Sequence, residues 1–329
     1  METDAHVEVR DPRPGGFAAT LEPGRSGLLA DARAVGRKWR IGADGVVAVD
    51  RNRYRGEVEF LFADGRMQVI NEVSLEAYVA GILGREIYPG WAPETFKAQA
   101  VVARTYALHQ RAARGRRGFD VEADTSSQVY GGAAAETPAI WAAVSATRGE
   151  YIAYAGEPIL AAYHSASGGQ TASAEEVWGS ALPYLVSVEV ADEEDSPDTY
   201  WRATIPKTKL GRALGPLGIG VGTARELELE VVARTDSGRA SRVRIRGSHG
   251  DHTLEARALR AALGESVIRS TLFEVRPGRD AFVFVGSGHG HGVGMSQWGA
   301  EAMAQRGASY REILATFYPG TTLLAGAPR

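Results

Sequence analysis

The chain has 329 residues, 44% of them apolar, enough to bury one large core or two modest ones. Its 37 basic and 40 acidic side chains leave a formal charge of -3, so no global field recruits nucleic acid. Cysteine is absent, which removes disulfides, thiolate ligands and thiol nucleophiles, and no run approaches the ~18 apolar residues of a membrane-spanning helix.

The first residues, METDAHVEVRDPRPGG, have neither the basic n-region nor the apolar h-region of an export signal. Residues 1–44 are turn-rich, with short alternating pieces such as KWRIG; GVVAVD, GEVEFLFADG and RMQVINEV continue the pattern, so the first 72 residues read as mainly β. The period then changes. SLEAYVAGILGREI carries apolar side chains at helical spacing after Ser74, a cap, and Pro89 and Gly90 mark its end. Pro93 opens a second helix running to about Gln110, with a face of small residues at Ala100, Ala103 and Ala107. Beyond it Arg111, Arg114, Arg116 and Arg117 crowd one end, a solvated terminus or a contact for an anionic polymer.

PAIWAAVSATR predicts a further helix that Gly149 can end, followed by a hairpin in EYIAYAGEPILAAYHSAS. Strands are expected over 185–206 around the acidic turn ADEEDSPDT, a hairpin through Asp236, Ser237 and Gly238, and a helix over HTLEARALRAALG. The stretch KTKLGRALGPLGIGVGTARE is ambiguous. DAFVFVGSG is a last strand, and SQWGAEAMAQRGASYREILATFYPG supplies two short helices. Helices and strands intermingle without regular βα alternation, so the expected fold class is α+β, mixed helices and antiparallel strands around a groove.

Four groups of residues could carry chemistry. In GHGHGVGMSQWGA, His289 and His291 would point to one side of an extended segment, as two metal ligands must, but no third or fourth ligand is supplied. The reading preferred is a metal-free, cofactor-free histidine site or packed loop, with zinc as the alternative. Ser296 and Gln297 stand at a helix start, where backbone donors and a side-chain amide could meet hydroxyls. Glu86, in GREIYPGW, has Ile87, Tyr88, Pro89 and Trp91 around it, an apolar and aromatic setting that suits a proton-donating carboxyl; the alternative is a surface glutamate. Arg104 interrupts a small-residue helix and, if buried, needs an anion. The loop YHSASGGQTASAEEVWG offers His164, Ser165, Ser167, Gln170 and an aromatic, which suits a sugar cleft as well as an ordinary capped loop. A serine hydrolase is disfavoured, since Ser165 and His164 are adjacent and GXSXG is missing.

Three blocks, LEAYVAGILGREIYPGWAPETFKAQAVVARTYAL, AYHSASGGQTASAEEVWG with PYL after it, and GHGHGVGMSQWGAEAMAQRGASYREILATFYPGTTL, together resemble the stage II sporulation protein D and LytB family. The resemblance spans residues 45–324, leaving 1–44 as a short β-rich segment and 325–329 as a tail. It implies work on peptidoglycan. Some members are lytic transglycosylases that cut MurNAc–GlcNAc bonds of peptide-stripped strands, and others enhance a cell-wall amidase. The family's catalytic glutamate falls on Glu86, although Ile87 replaces a methionine and Tyr88 is inserted before Pro89; Trp298 stands where the family has tyrosine. The cysteine ligation of metal found in part of the family has no counterpart.

On that resemblance Arg104, His164, Ser165, Ser167, Gln170, His289, His291, Ser296 and Gln297 are expected to bind glycan. The implied partners are peptidoglycan glycan strands and a cell-wall amidase, with no nucleic acid, and the implied location is extracytoplasmic. A hydrolase would need a second carboxyl at roughly 5–5.5 Å for retention or 6.5–9.5 Å for inversion. Glu94, Glu175 and Glu176 are candidates that sequence cannot place. In a non-catalytic reading Glu86 is a structural partner, for instance of Arg104.

Overall fold

The computed structural model describes residues 2–3, 7–10, 18–24, 28–31, 33–114, 118–124 and 127–326. Arg116 and Arg117 of the arginine cluster lie outside these, as do 327–329 of the tail. The chain divides into two compact units, Met1–Leu160 with Thr322–Arg329, and Ala161–Thr321.

In the first unit the β-rich start forms one eight-stranded sheet. Its long members, Lys38–Val49, Asn52–Ala63 and Arg66–Glu72, pair antiparallel in sequence order, and the first of them runs through position 44 without a break. Alternation buries Val47, Val49, Val58, Phe60 and Met67 on one face. Three helices follow: α1 (Leu75–Glu86), α2 (Pro93–Arg114) and α3 (Pro138–Ala146). Ser74 caps α1 by accepting the N–H of Ala77, and Thr137 caps α3 by accepting that of Ile140. Ile82, Leu83, Phe96, Ala100, Ala103, Ile140 and Val144 form their shared core. Glu150–Tyr154 is the middle strand of a three-stranded sheet, paired with Glu157–Pro158 on one side and Thr322–Ala325 on the other.

The second unit contains α4 (Ala174–Trp178), α5 (Lys207–Leu214), α6 (Ala256–Leu263), α7 (Gln297–Gln305) and α8 (Tyr310–Phe317). Two three-stranded antiparallel sheets accompany them, Trp201–Pro206, Ala281–Gly286 and Phe273–Pro277 in one, and Glu228–Arg234, Ala240–Gly247 and Gly250–Glu255 in the other. Their core joins Trp201, Leu210, Val243, Ile245, Leu259, Phe282 and Phe284. The molecule is α+β, with antiparallel sheets and interspersed helices.

Two elements depart from expectation. Only Trp201–Pro206 of the segment 185–206 becomes a strand. The acidic turn before it sends Glu193 and Asp198 inward, where their carboxylates meet the Ser167 N–H and His289 Nδ1. HTLEARALRAALG is helical only from Ala256, because Gly250–Glu255 pairs with Ala240–Gly247.

Candidate functional site

In the first unit Glu86 is the last residue of α1. Helix geometry ends there because Pro89 disfavours helical backbone just before it; Ile87 is extended, with φ -129° and ψ 156°. The chain then turns, with the Trp91 N–H directed to the Tyr88 carbonyl at 3.5 Å and Gly90 at φ +91°. Tyr88 is exposed and its ring lies 5.4 Å from that of Trp91, while Ile87 is buried. Glu86 itself is half-buried, and the Val129 N–H donates to its Oε1 at 2.8 Å.

The segment holding Val129 is fixed to α1 on both sides. The Tyr78 hydroxyl donates to Gln128 Oε1 at 3.2 Å, and the Gly131 N–H donates to the Gly81 carbonyl at 2.9 Å. A Cβ at Gly81 would stand 2.5 Å from the Tyr130 ring, so only glycine lets that ring close on the helix. Burial pushes the Tyr78 and Tyr130 phenols up, keeping both protonated as donors.

Arg104 is fully buried, and the carboxylate it meets is Glu76, not Glu86. Nε and Nη2 form a fork on Glu76 at 3.0 and 2.7 Å, and Nη1 donates to the Glu150 carbonyl at 2.9 Å and the Ala100 carbonyl at 3.4 Å. Glu76 also accepts the Gly149 N–H at 3.2 Å, so the pair ties α1 and α2 to the strand beginning at Glu150. With no exposed surface the guanidinium is an internal strut, and the expectation that it binds substrate is corrected to that role. Glu94 is engaged with Lys97 at 2.5 Å.

In the second unit the loop 163–172 and the motif 288–296 are zipped together. Tyr163 and His164 pair in parallel with Met295 and Ser296, Ala166 bridges His289, and Ala172 bridges Val293. His164, Ser165, Ser167, His289, His291 and Ser296 thus come from two distant segments to one place. Gly288, Gly290 and Gly294, all at positive φ, allow the contact: added Cβ atoms would meet the Ala166 carbonyl at 2.8 Å, His164 Cβ at 2.8 Å and the Ala162 carbonyl at 2.0 Å.

The roles inside this cluster differ from residue to residue. His164 is buried and donates from Nδ1 to the Val293 carbonyl at 3.1 Å, which leaves Nε2 as an acceptor with no hydrogen-bond partner. Burial, with the neighbouring His291 and Arg239, holds its pKa well below the usual imidazole range. The His291 ring lies 5.6 Å from that of His164 and 5.4 Å from Trp178, and its Nδ1 accepts the Val293 N–H at 3.0 Å. Burial and the charge of Arg260 lower its pKa to about 4. His289 is more open, with Nδ1 at 3.0 Å from Asp198 Oδ2, and Asp198 also meets Arg269. Gln170 is exposed and donates to Ser187 Oγ at 2.8 Å; Gln297 is buried at the first position of α7.

Ser167 and Ser296 are both fully buried, and both serve Glu193. Its carboxylate accepts from Ser167 Oγ at 2.7 Å, from the N–H groups of Ser167 and Gly168 at 3.0 and 2.8 Å, and from Ser296 Oγ. Arg239, which like Glu193 no motif along the chain marks, donates to the Ser167 and Gln170 carbonyls at 2.7 and 2.9 Å. Burial lowers its pKa to about 10 against the opposing pull of Glu176 and Glu193. Glu176 is taken up by the capping box of α4 and by the Ser237 N–H and hydroxyl. The sequence did carry two signals for these residues, the Ser173-x-x-Glu176 cap and the acidic turn. Among the described residues no three His, Asp or Glu side chains gather as a metal would need.

The sequence model of the family described as stage II sporulation protein, SpoIID, matches residues 63–154, the part holding Glu86 and Arg104; that of a domain of unknown function matches 189–294. A stage II sporulation protein D of Bacillus amyloliquefaciens is 32% identical over 269 residues, 77% of this chain and 75% of the relative. The chain belongs to the SpoIID/LytB family. An uncharacterized protein of Brachyspira hyodysenteriae is 33% identical over 274 residues, 82% of this chain and 72% of its own length. A protein of Bacillus subtilis named amidase enhancer is 30% identical over 294 residues, 74% of this chain but only 40% of that longer relative.

Proposed function

We propose that the protein is a peptidoglycan lytic transglycosylase acting outside the cytoplasmic membrane on peptide-stripped glycan strands through residues 45–324. The observation that carries this reading is the carboxyl of Glu86, half-buried at the end of α1, steadied by the Val129 N–H and lying within the span matched by the SpoIID family. Glu86 protonates the oxygen that links MurNAc to GlcNAc, and that bond breaks. The muramoyl C6 hydroxyl closes on the anomeric carbon and returns its proton to Glu86, leaving a 1,6-anhydro end. One carboxyl serves as acid and then base, so no second carboxylate is required to activate water.

Glycan contacts in the second unit fall to the side chains that reach solvent: Gln170, His289 and Trp178, with Ser165 beside them. His164, Ser167, His291, Ser296 and Gln297 shape the two loops from within. The Asp198 carboxylate on Nδ1 of His289 orients its ring.

Glu86→Gln keeps size and most hydrogen bonding but removes the titratable proton. Turnover of peptide-free strands is expected to fall about 10²–10⁴-fold with fold and glycan binding retained. Mass spectrometry of the products checks the chemistry: anhydromuramoyl ends support the reading, and ordinary reducing ends replace it with hydrolysis. An unchanged rate in the variant removes Glu86 from the mechanism. The name of the Bacillus subtilis relative favours a second reading, a glycan-binding enhancer of a cell-wall amidase. Glycan binding by the unaltered protein without any cleavage selects it.

A further inference from the structure

The turn after Glu86 forms one wall of a cavity of about 720 Å³ whose use the proposed reaction does not explain. Ile87, Trp91 and Phe96 line one side, and Ala139, Ala142 and Ala143 of α3 line the other. This volume is typical of a small-molecule site, but the polar complement is sparse, essentially Thr137, Lys97 and Arg85. Glu94 already neutralises Lys97.

Helix α3 reinforces the observation. From Pro138 to Ala146 it carries no charged residue, and while Ile140, Ala143 and Val144 face the core, Ala139, Ala142 and Ala146 are exposed toward the cavity. A surface helix ordinarily turns charged or polar residues to water. This one offers solvent a bare alanine face, next to the partly exposed Trp91.

At the rim stands Arg85. It is exposed, its stem lies over Gly131, where an added Cβ would meet its Cγ and Nε at 2.8 Å, and it has no carboxylate partner among the described residues. A pyranose does not suit this cavity, because its ring of hydroxyls would find few acceptors and donors and would be left unpaired. Hydrocarbon suits the walls, and an anionic head suits the unpaired guanidinium.

We infer that the cavity bounded by α3 and the turn 87–91 binds a single-chain amphiphile, its hydrocarbon on the alanine face and its carboxylate on Arg85. The site is separate from the reaction proposed for Glu86.

Isothermal titration of the whole chain with octanoate, decanoate and dodecanoate, each below its micellar concentration, tests the site directly. One ligand is expected per chain, with affinity rising about fourfold per added methylene. Ala142→Trp fills the cavity and Ala139→Glu places a like charge in it. Both positions are exposed, so the fold should tolerate them, as melting temperature will verify. Each is expected to weaken dodecanoate binding at least about tenfold. Arg85→Gln should abolish the preference for dodecanoate over dodecyltrimethylammonium. Glu86→Gln should leave binding unchanged, which separates this site from the catalytic reading. Absence of saturable binding, or equal affinity in the folded Ala142→Trp and Ala139→Glu variants, overturns the inference.

Discussion

Arg104 and Arg239 are both withdrawn from water, yet the two units hold them by different means. Arg104 has a carboxylate fork and two carbonyls, and every nitrogen is used. Arg239 has two carbonyls, no carboxylate within hydrogen-bond distance and an Nε with no partner, so its charge is sustained only by the more distant Glu176 and Glu193. The first arrangement is a closed ion pair that holds secondary structure together. The second is a loosely compensated cation holding the carbonyls of a loop that carries candidate glycan contacts. Burial alone therefore says little about what a charge is for, and the partner set decides it.

The largest expected effect lies at the closed pair. Arg104→Met leaves Glu76 charged and mostly enclosed, and should cost about 3–5 kcal/mol of unfolding free energy. Urea denaturation followed by the fluorescence of Trp39, Trp91 and Trp141 would show it, with Trp178, Trp201 and Trp298 reporting the other unit. A loss below about 1 kcal/mol would show that the fork is no stronger than a surface pair.

A smaller effect is expected from acid in the second unit. His291 stays neutral when folded down to about pH 4, whereas an unfolded imidazole takes a proton near 6.5. Stability is thus complete above pH 6.5 and declines as pH falls toward 4, by about 3 kcal/mol at most, since the ring keeps some exposure. Buried His164, also held below the usual imidazole range, adds to the decline; replacing His291 by Asn should make it shallower, and an unaltered slope would place the titration at His164 instead.

The smallest change sharpens the contrast most. Arg239→Met removes donors from two carbonyls without stranding a carboxylate, so about 1–3 kcal/mol is expected. Should it match the loss in Arg104→Met, the distant acids contribute as much as a direct fork, and the distinction fails.

Much of the framework was readable where local chemistry and period agree. Ser74 before an apolar period, Pro93 at a first turn and Asp236-Ser237-Gly238 between alternating runs each declare an element, and each is present. Pairing defeats such reading. Gly250–Glu255 has the look of a helix start and becomes a strand because Ala240–Gly247 lies beside it. The site followed the same rule. Glu86 and the histidines stand in conspicuous local settings, but Glu193 meets Ser296 across more than a hundred positions, and Arg104 finds Glu76 rather than Glu86. No spacing along the chain encodes those choices.

The strand Thr322–Ala325 completes the first unit after the whole of the second has intervened. A ribosome making this chain releases the eight-stranded sheet, α1, α2 and α3 early, but the partner for one side of Glu150–Tyr154 arrives only at the end. Until then that strand presents an open row of backbone groups, a template for pairing with other chains. The second unit is in effect a long loop closed by this last pairing, so final assembly of the first unit is ordered in time behind the folding of its insert.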